Sequence, residues 1–188
     1  MTESSALDPQ DIAASVVRAL VLYSLAEFQS GHETTVRVIA DGHSFGITDD
    51  GRGHAVDQTV AGLPYLKFVY THLDYPFDQA QNAPMQLHAI GISLINVLCS
   101  ELAVVTYKQD VTLRMSFKSG HLCKHDVVNV KSEQTGNAIS GSINSQLQKR
   151  GVDTQRLRLW LSGLLTASPN LKLFFNGLEL YALPPRDA

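Results

Sequence analysis

From Ile12 to Phe28 the chain is apolar with polar residues only at intervals, and Asp8-Pro9-Gln10-Asp11 stands ahead of that run. An N-cap acid at Asp8, proline at the first helical position and a second acid in the first turn predict a helix that Gly31 ends. Thr34 to Ala40 and His43 to Thr48 alternate apolar with polar around Asp41-Gly42, the pattern of a β-hairpin. Val56 to Tyr70 reads as weakly helical, Thr71 to Pro84 as an irregular loop able to serve as a lid, and Leu87 to Leu98 as a buried helix apolar on most sides. Leu102 to Tyr107 and Val111 to Lys118 form a second hairpin around Gln109-Asp110, and strands continue towards Ser142. Val152 to Leu165 sets Leu157, Trp160, Leu161, Leu164 and Leu165 at helical spacing, and Leu171 to Leu183 folds back at Asn176-Gly177 as a third hairpin. The order of elements predicts an α/β (α+β) two-layer sandwich, a mixed, mainly antiparallel sheet with helices on one face.

Composition narrows this picture. With 188 residues, 44% of them hydrophobic, one domain spanning 1–188 is expected. The first ten residues lack the basic and apolar regions of a signal peptide, and no later stretch reads as a membrane span, so a cytoplasmic protein with no membrane partner is expected. Cys99 and Cys123 lack the spacing of a zinc or redox motif and read as reduced thiols in or near the core. A net charge of −3 gives no general attraction to nucleic acid, so direct DNA binding is not expected.

Candidate chemistry gathers in two segments. Thr48-Asp49-Asp50-Gly51-Arg52-Gly53 places two carboxylates at a strand end, followed by two glycines flanking an arginine. Asp and Gly also dominate ordinary turns, so this segment alone leaves both readings open. The second segment runs from Gln86 to Asn96 and sets Gly91 near the start of the apolar helix, where free N–H groups suit a phosphate and where glycine also serves packing.

In this order and spacing the segments resemble the ATPase domain of the gyrase B protein and its topoisomerase relatives, within the GHKL superfamily and its Bergerat fold. Glu27 to Gly31-His32 matches the end of the family's first helix, and Asp49-Asp50-Gly51-Arg52-Gly53 its second motif. Thr71-His72 and Phe77-Asp78 match the following loop, and Leu87-His88 with Ile90-Gly91-Ile92-Ser93 and Asn96 the phosphate-loop helix. Arg114 matches a pocket-wall arginine, and Thr135-Gly136 the threonine-glycine near the adenine. The resemblance implies a nucleotide site of Glu27, Asp49, Gly51, Arg52, Gly53, Ile90, Gly91, Arg114 and Thr135, with ATP or ADP as ligand. Asp49 would accept the adenine amino group's hydrogen bond, Glu27 and Arg52 would pair at the rim, and Ile90 and Gly91 would offer N–H groups to phosphates.

The departures point the other way. Where relatives carry a general-base glutamate and a Mg²⁺-binding asparagine on the first helix, this chain has Ala19 and Tyr23. These are i, i+4 neighbours on one helix face, so both roles are lost together. Alanine moves no proton, and a tyrosine suits neither the ligand set nor the tight octahedron of Mg²⁺. Met85, Gln86 and Ala89 replace glycines of the phosphate loop. Relatives also continue into a domain that lends a lysine to the γ-phosphate and begin with a dimerisation arm; the expectation for this chain is a stand-alone module lacking both. The resemblance with these losses implies a non-hydrolysing adenine-nucleotide module without catalytic residues or Mg²⁺. A protein-interaction scaffold, such as a regulator, immunity protein or decoy binding a protein partner, is the alternative, and a slow ATPase using Asp50 as improvised base is a third.

Three further features carry weaker signals. His121, Cys123 and His125 sit at i, i+2 and i+4, which would put them on one strand face with metal-capable chemistry but no fourth ligand. Lys149, Arg150, Arg156 and Arg158 read as a solvated helix face or, less readily, as a phosphate surface. His54 stands where the relatives are apolar and reads as a half-exposed loop histidine or as a new polar contact to a ligand.

Overall fold

The computed structural model describes residues 10–32, 34–72, 91–128 and 133–183. The first helix, α1, spans Ile12–Gln29. Its N-cap is Asp11 rather than Asp8, because the Asp11 carboxylate accepts the Ala14 N–H at 2.9 Å; residues 8 and 9 lie outside the described residues. The other Asp11 oxygen accepts Asp153 N–H at 3.0 Å, and Asp153 in turn caps the last helix, so one carboxylate ties two helix starts together. By length and hydropathy (mean 1.3) α1 is apolar enough to cross a membrane, contrary to the reading that no such stretch exists. More than half of it (56%) is buried inside the fold, with Val16, Val17 and Val21 enclosed, so core packing explains its apolarity.

Strands β1 (Thr35–Asp41) and β2 (Ser44–Asp49) form the first hairpin around Gly42 as the alternation predicts. Val56 to Tyr70 is not one helix. Strands β3 (Thr59–Val60) and β4 (Leu63–Pro64) pair around a turn in which Ala61 and Gly62 both have positive φ, and only Tyr65–Thr71 is helical (α2). The expected lid falls almost wholly on 73–84, outside the described residues, as do 87–90 of the next predicted helix; α3 spans Ile92–Leu98. Then follow β5 (Cys99–Tyr107), β6 (Thr112–Lys118), β7 (His121–Val128), β8 (Gly136–Ile143), α4 (Thr154–Ala167), β9 (Lys172–Phe175) and β10 (Leu178–Glu179).

Eight strands make one sheet in the order β10-β9-β1-β2-β8-β5-β6-β7, with β1 and β9 parallel and the other neighbours antiparallel. Alternation decides what each face does. Val36, Val38, Phe45, Ile47, Leu102, Val104, Leu113, Met115 and Phe117 are buried in the core that includes α1, while Arg37, Ile39, Arg114 and Lys118 point to the other, open face.

The edge strand β7 corrects the metal reading. Its register against β6 shifts between Ser116 and Phe117, leaving Cys123 as the extra residue of a bulge. His125 pairs opposite buried Met115 and His121 opposite exposed Lys118, so the two histidines lie on opposite faces. Among the described residues no group of three or more His, Cys, Asp or Glu is placed to hold a metal ion. Cys99 is a buried thiol at the start of β5, whereas Cys123 is exposed rather than near the core. Lys149, Arg150, Arg156 and Arg158 are all exposed.

Candidate functional site

The end of β2 places Asp49 on the helix-bearing face, in register with buried Val36. Its Oδ1 accepts the Gly51 N–H and the Asn137 N–H, each at 3.1 Å. Its Oδ2 is held more loosely, 3.3 Å from Asn137 Nδ2 and 3.5 Å from Ser24 Oγ on α1. Burial pushes the Asp49 carboxyl above the usual carboxylate range, and the bonds from Gly51 and Asn137 offset only part of that cost. The group is a buried acceptor with one oxygen satisfied by backbone and one with capacity to spare.

Asn137 is the hub that sequence reading missed. Its amide oxygen accepts Thr106 Oγ1–H at 2.9 Å and His54 N–H at 3.1 Å while its NH₂ faces Asp49. It stands two residues beyond Thr135, so the parity of an extended chain carries the Thr135-Gly136 motif straight to it. His54 is not half-exposed: it is 4% accessible. Its Nδ1 lies 3.3 Å from the Tyr23 hydroxyl, and its ring meets Tyr70 edge-on at 6.2 Å between centroids. The contacts thus run from Ser24 on α1 through the Asp49 and Asn137 side chains to the His54 backbone N–H, and from the His54 ring back to Tyr23 on α1. His54 Nε2 and Tyr70 Oη are buried with no hydrogen-bond partner among the described residues.

Two glycines lock this network to the sheet. Gly53 has φ +69°, and a Cβ there would lie 2.7 Å from the Tyr107 carbonyl oxygen and 3.0 Å from that of Gly136. Gly136 has φ +107°, and its Cβ would run into the Asp49 backbone carbonyl. The loop after β2 and the start of β8 interlock at a separation only glycine permits, which is why both motifs carry it.

At the rim, Arg52 donates through Nε and Nη2 to the two Glu27 oxygens at 2.9 and 2.8 Å, and this bond holds the Glu27 carboxyl below its ordinary range. Asp50 belongs to the scaffold. Burial alone would raise its carboxyl, but hydrogen bonds from Thr34 and Thr35 outweigh that and hold it low. A carboxylate so engaged is a poor improvised base. Thr135 is half-buried, its hydroxyl 3.5 Å from the Asp50 carbonyl oxygen. Gly91 is the N-cap of α3, with φ −69° and nothing nearer to an added Cβ than Ser93 Oγ at 3.9 Å, so packing does not require glycine there. Ile90 lies outside the described residues.

Arg114 lies apart from this cluster, and among the described residues no contact joins Gly91 to that cluster. Arg114 pairs with Val105 and Asp126 on the open face of the sheet and is exposed, so the structure does not bring it together with Asp49. A concavity of about 540 Å³ also lies apart from this site, lined by Ser44, Glu101, Ser116, Lys118, Cys123 and Ser142 among others.

Ala19 is enclosed in the core and the Tyr23 ring sits against His54, with burial pushing its hydroxyl well above the ordinary range. These residues do not fit a Mg²⁺ ion, which needs several small oxygen ligands.

No protein-family model matches the chain. It is 33% identical over 111 residues to the gyrase B protein of Caulobacter vibrioides, covering 56% of this chain and 14% of that protein. It is 28% identical over 157 residues to the topoisomerase 4 B protein of Staphylococcus aureus, covering 79% of this chain and 23% of that protein. The chain therefore spans less than a quarter of the length of these relatives. Among solved structures, the topoisomerase IV ATP-binding domain of Francisella tularensis, in complex with a small-molecule inhibitor, superposes with a TM-score of 0.74 at 18% identity, covering 89% of this chain and 85% of that one. The 43K ATPase domain of Thermus thermophilus gyrase B, in complex with an aminocoumarin, gives 0.73 at 19%, covering 95% and 48%. The fold is that of these topoisomerase IV and gyrase B ATP-binding domains, and part of the sequence is similar to the gyrase B and topoisomerase 4 B proteins.

Proposed function

We propose, from this relationship to the gyrase B and topoisomerase IV ATPase domains, that the chain is a binding module that takes an adenine-type ligand at Asp49 and does not hydrolyse ATP. The observation that carries the reading is the Asp49 carboxylate, buried, fixed through Oδ1 by two backbone N–H groups and held at Oδ2 only by the longer contacts of Asn137 Nδ2 and Ser24 Oγ, which a better-placed donor can replace. An exocyclic amino group is the natural donor for such an oxygen.

Among the described residues hydrolysis lacks its parts. The acids beside Tyr23 are Glu27, held by Arg52, and Asp49, held by Gly51 and Asn137, while Asp50 is held by Thr34 and Thr35. None is free to take a proton from an attacking water, a role worth roughly 10² to 10⁴ in rate. Purified protein is therefore expected to release no phosphate from ATP in a Mg²⁺-dependent manner. Turnover that disappears when Glu27, Asp49 or Asp50 alone is replaced by its amide would overturn this.

Ligand binding is expected to depend on Asp49. Loss of a buried acceptor costs about 1 to 3 kcal/mol, so Asp49→Ala should weaken binding roughly five- to 150-fold in calorimetry. Unchanged affinity would place the ligand elsewhere. The Tyr23 ring against His54 also favours a second reading, a scaffold for a protein partner with the pocket filled from within. A screen of purines that raises the melting temperature with none of them would favour that reading.

A further inference from the structure

We infer that the outer edge of β7 is a self-pairing surface, through which two copies of the chain join their sheets antiparallel about His125.

The sheet stops at β7. This strand is the last in the order, and at eight residues it is a long edge, whereas the opposite edge, β10, has two. Among the described residues no strand pairs with its outer side, and no backbone hydrogen bond outside the ladder with β6 reaches it. Its faces are bare as well: His121, Lys124, His125, Val127 and Val128 are exposed, Val127 to 57%. An edge with unpaired N–H and C=O groups is a template for another strand.

The pattern of β7 itself selects which strand that is. Pairing with β6 sets Leu122, His125 and Val127 opposite Phe117, Met115 and Leu113, on the core side, and sets Lys124 and Asp126 opposite Ser116 and Arg114, on the open face. An antiparallel copy related by a two-fold axis through the sheet keeps each face on its own side, so the axis must pass through a residue and not between two. Centring on Lys124 sets lysine against lysine, and centring on Asp126 sets aspartate against aspartate, both unfavourable. Centring on His125 sets Lys124 opposite the partner's Asp126, and Asp126 opposite the partner's Lys124. With Cys123 passed over, as it is in the ladder with β6, the same register brings Leu122 opposite the partner's Val127 and His121 opposite the partner's Val128. Within one strand Lys124 and Asp126 already form an ion pair at 2.6 Å, the lysine side chain 70% exposed. Across the axis that pair becomes a square of alternating charge, and exposed Val127 gains an apolar cover. A lysine and a bulge commonly keep an edge strand solitary. In this register the partner matches both.

One strand is a small interface, below the roughly 1,200 Å² of stable complexes, so the dimer should be weak and half-formed within about 10 to 500 μM. Sedimentation velocity on the full chain at about pH 8, above the range in which imidazoles charge, tests this. A reversible monomer–dimer exchange is expected. Lys124→Asp and Asp126→Lys, each alone, set like charges across the axis and should weaken the dimer about tenfold or more. The double variant Lys124→Asp with Asp126→Lys exchanges the pairs and should return to within about threefold of the native chain. Circular dichroism checks that the variants fold. Should a single variant not fold, hydrogen exchange of the native chain decides, with the amides of β7 slowing as concentration rises. A monomer at every concentration up to about 1 mM overturns the inference. So does a dimer indifferent to the single reversals, one that the double variant fails to restore, or exchange that slows only outside β7.

Discussion

Gly136→Ala is expected to cost about 2 to 6 kcal/mol of stability, a large share of the roughly 5 to 15 kcal/mol of a typical domain. Two penalties combine. At φ +107° an L-residue with a Cβ is strained, at about 1 to 3 kcal/mol. The new methyl would also run into the Asp49 backbone carbonyl, and rigid main chain on both sides means that the β2–β8 pairing must open to admit it, at a further cost of about 1 to 3 kcal/mol. For a chain of this size about 2 to 4 °C is lost per kcal/mol, so the melting temperature should fall by about 4 °C or more. Gly177→Ala separates the two terms: φ is +82° at Gly177, but no atom lies within 4 Å of the added carbon. It should show the strain alone, about 1 kcal/mol. Equal losses in the two variants would show that the close approach at Gly136 is not what fixes the motif.

Acidification should destabilise the protein through His54. Burial lowers the His54 imidazole from 6.5 to about 4, with Lys108 adding to the effect and Glu27 opposing it. In the unfolded chain the ring takes a proton near pH 6.5; in the folded chain it stays neutral to about pH 4. The stability tied to the neutral ring is therefore complete above pH 6.5 and is lost as the pH falls from there towards 4. Between pH 7 and pH 5 this single group should remove about 2 kcal/mol. Asp49 and Glu27 act in opposite senses, since Asp49 is raised by burial and Glu27 lowered by Arg52. Denaturant titrations of the native chain and of His54→Phe at both pH values isolate the effect, and parallel profiles would show that His54 is not the buried neutral group described here.

Legibility in the sequence followed the range of the interactions involved. Asp41-Gly42 and Asn176-Gly177 were readable as hairpin turns because turn chemistry is local, and both stand where the structure turns. Strands of two residues, β3 and β4, carry no period to read, and the helix expected over them shortened to α2. Asp49, Glu27 and Arg52 were found through adjacent motifs. Asn137 and Tyr70 were not, because what gives them a place is the neighbourhood of β8, β2 and α1, which lie far apart in the chain. Arg114 teaches a different lesson. Leu113, Met115 and Phe117 already marked the inward parity of their strand, so period-two alternation placed Arg114 outward while the family match placed it in the pocket. The alternation was the sounder guide. Cys123 defeated that same alternation, since nothing local announces the bulge that throws His121 and His125 apart.

The position of β9 bears on how the protein comes to be made. The strand that closes the far side of β1 is drawn from Lys172–Phe175, near the opposite end of the chain, and runs parallel to β1, with Asn176 clasping the Ala40 N–H and carbonyl. During synthesis the first hairpin is complete long before its neighbour leaves the ribosome, and until then β1 offers an unpaired apolar edge to any passing strand. Closing so long a loop is entropically slow. The nascent chain therefore passes through a half-built sheet in which one edge of β1 stays uncovered until Lys172–Phe175 has emerged.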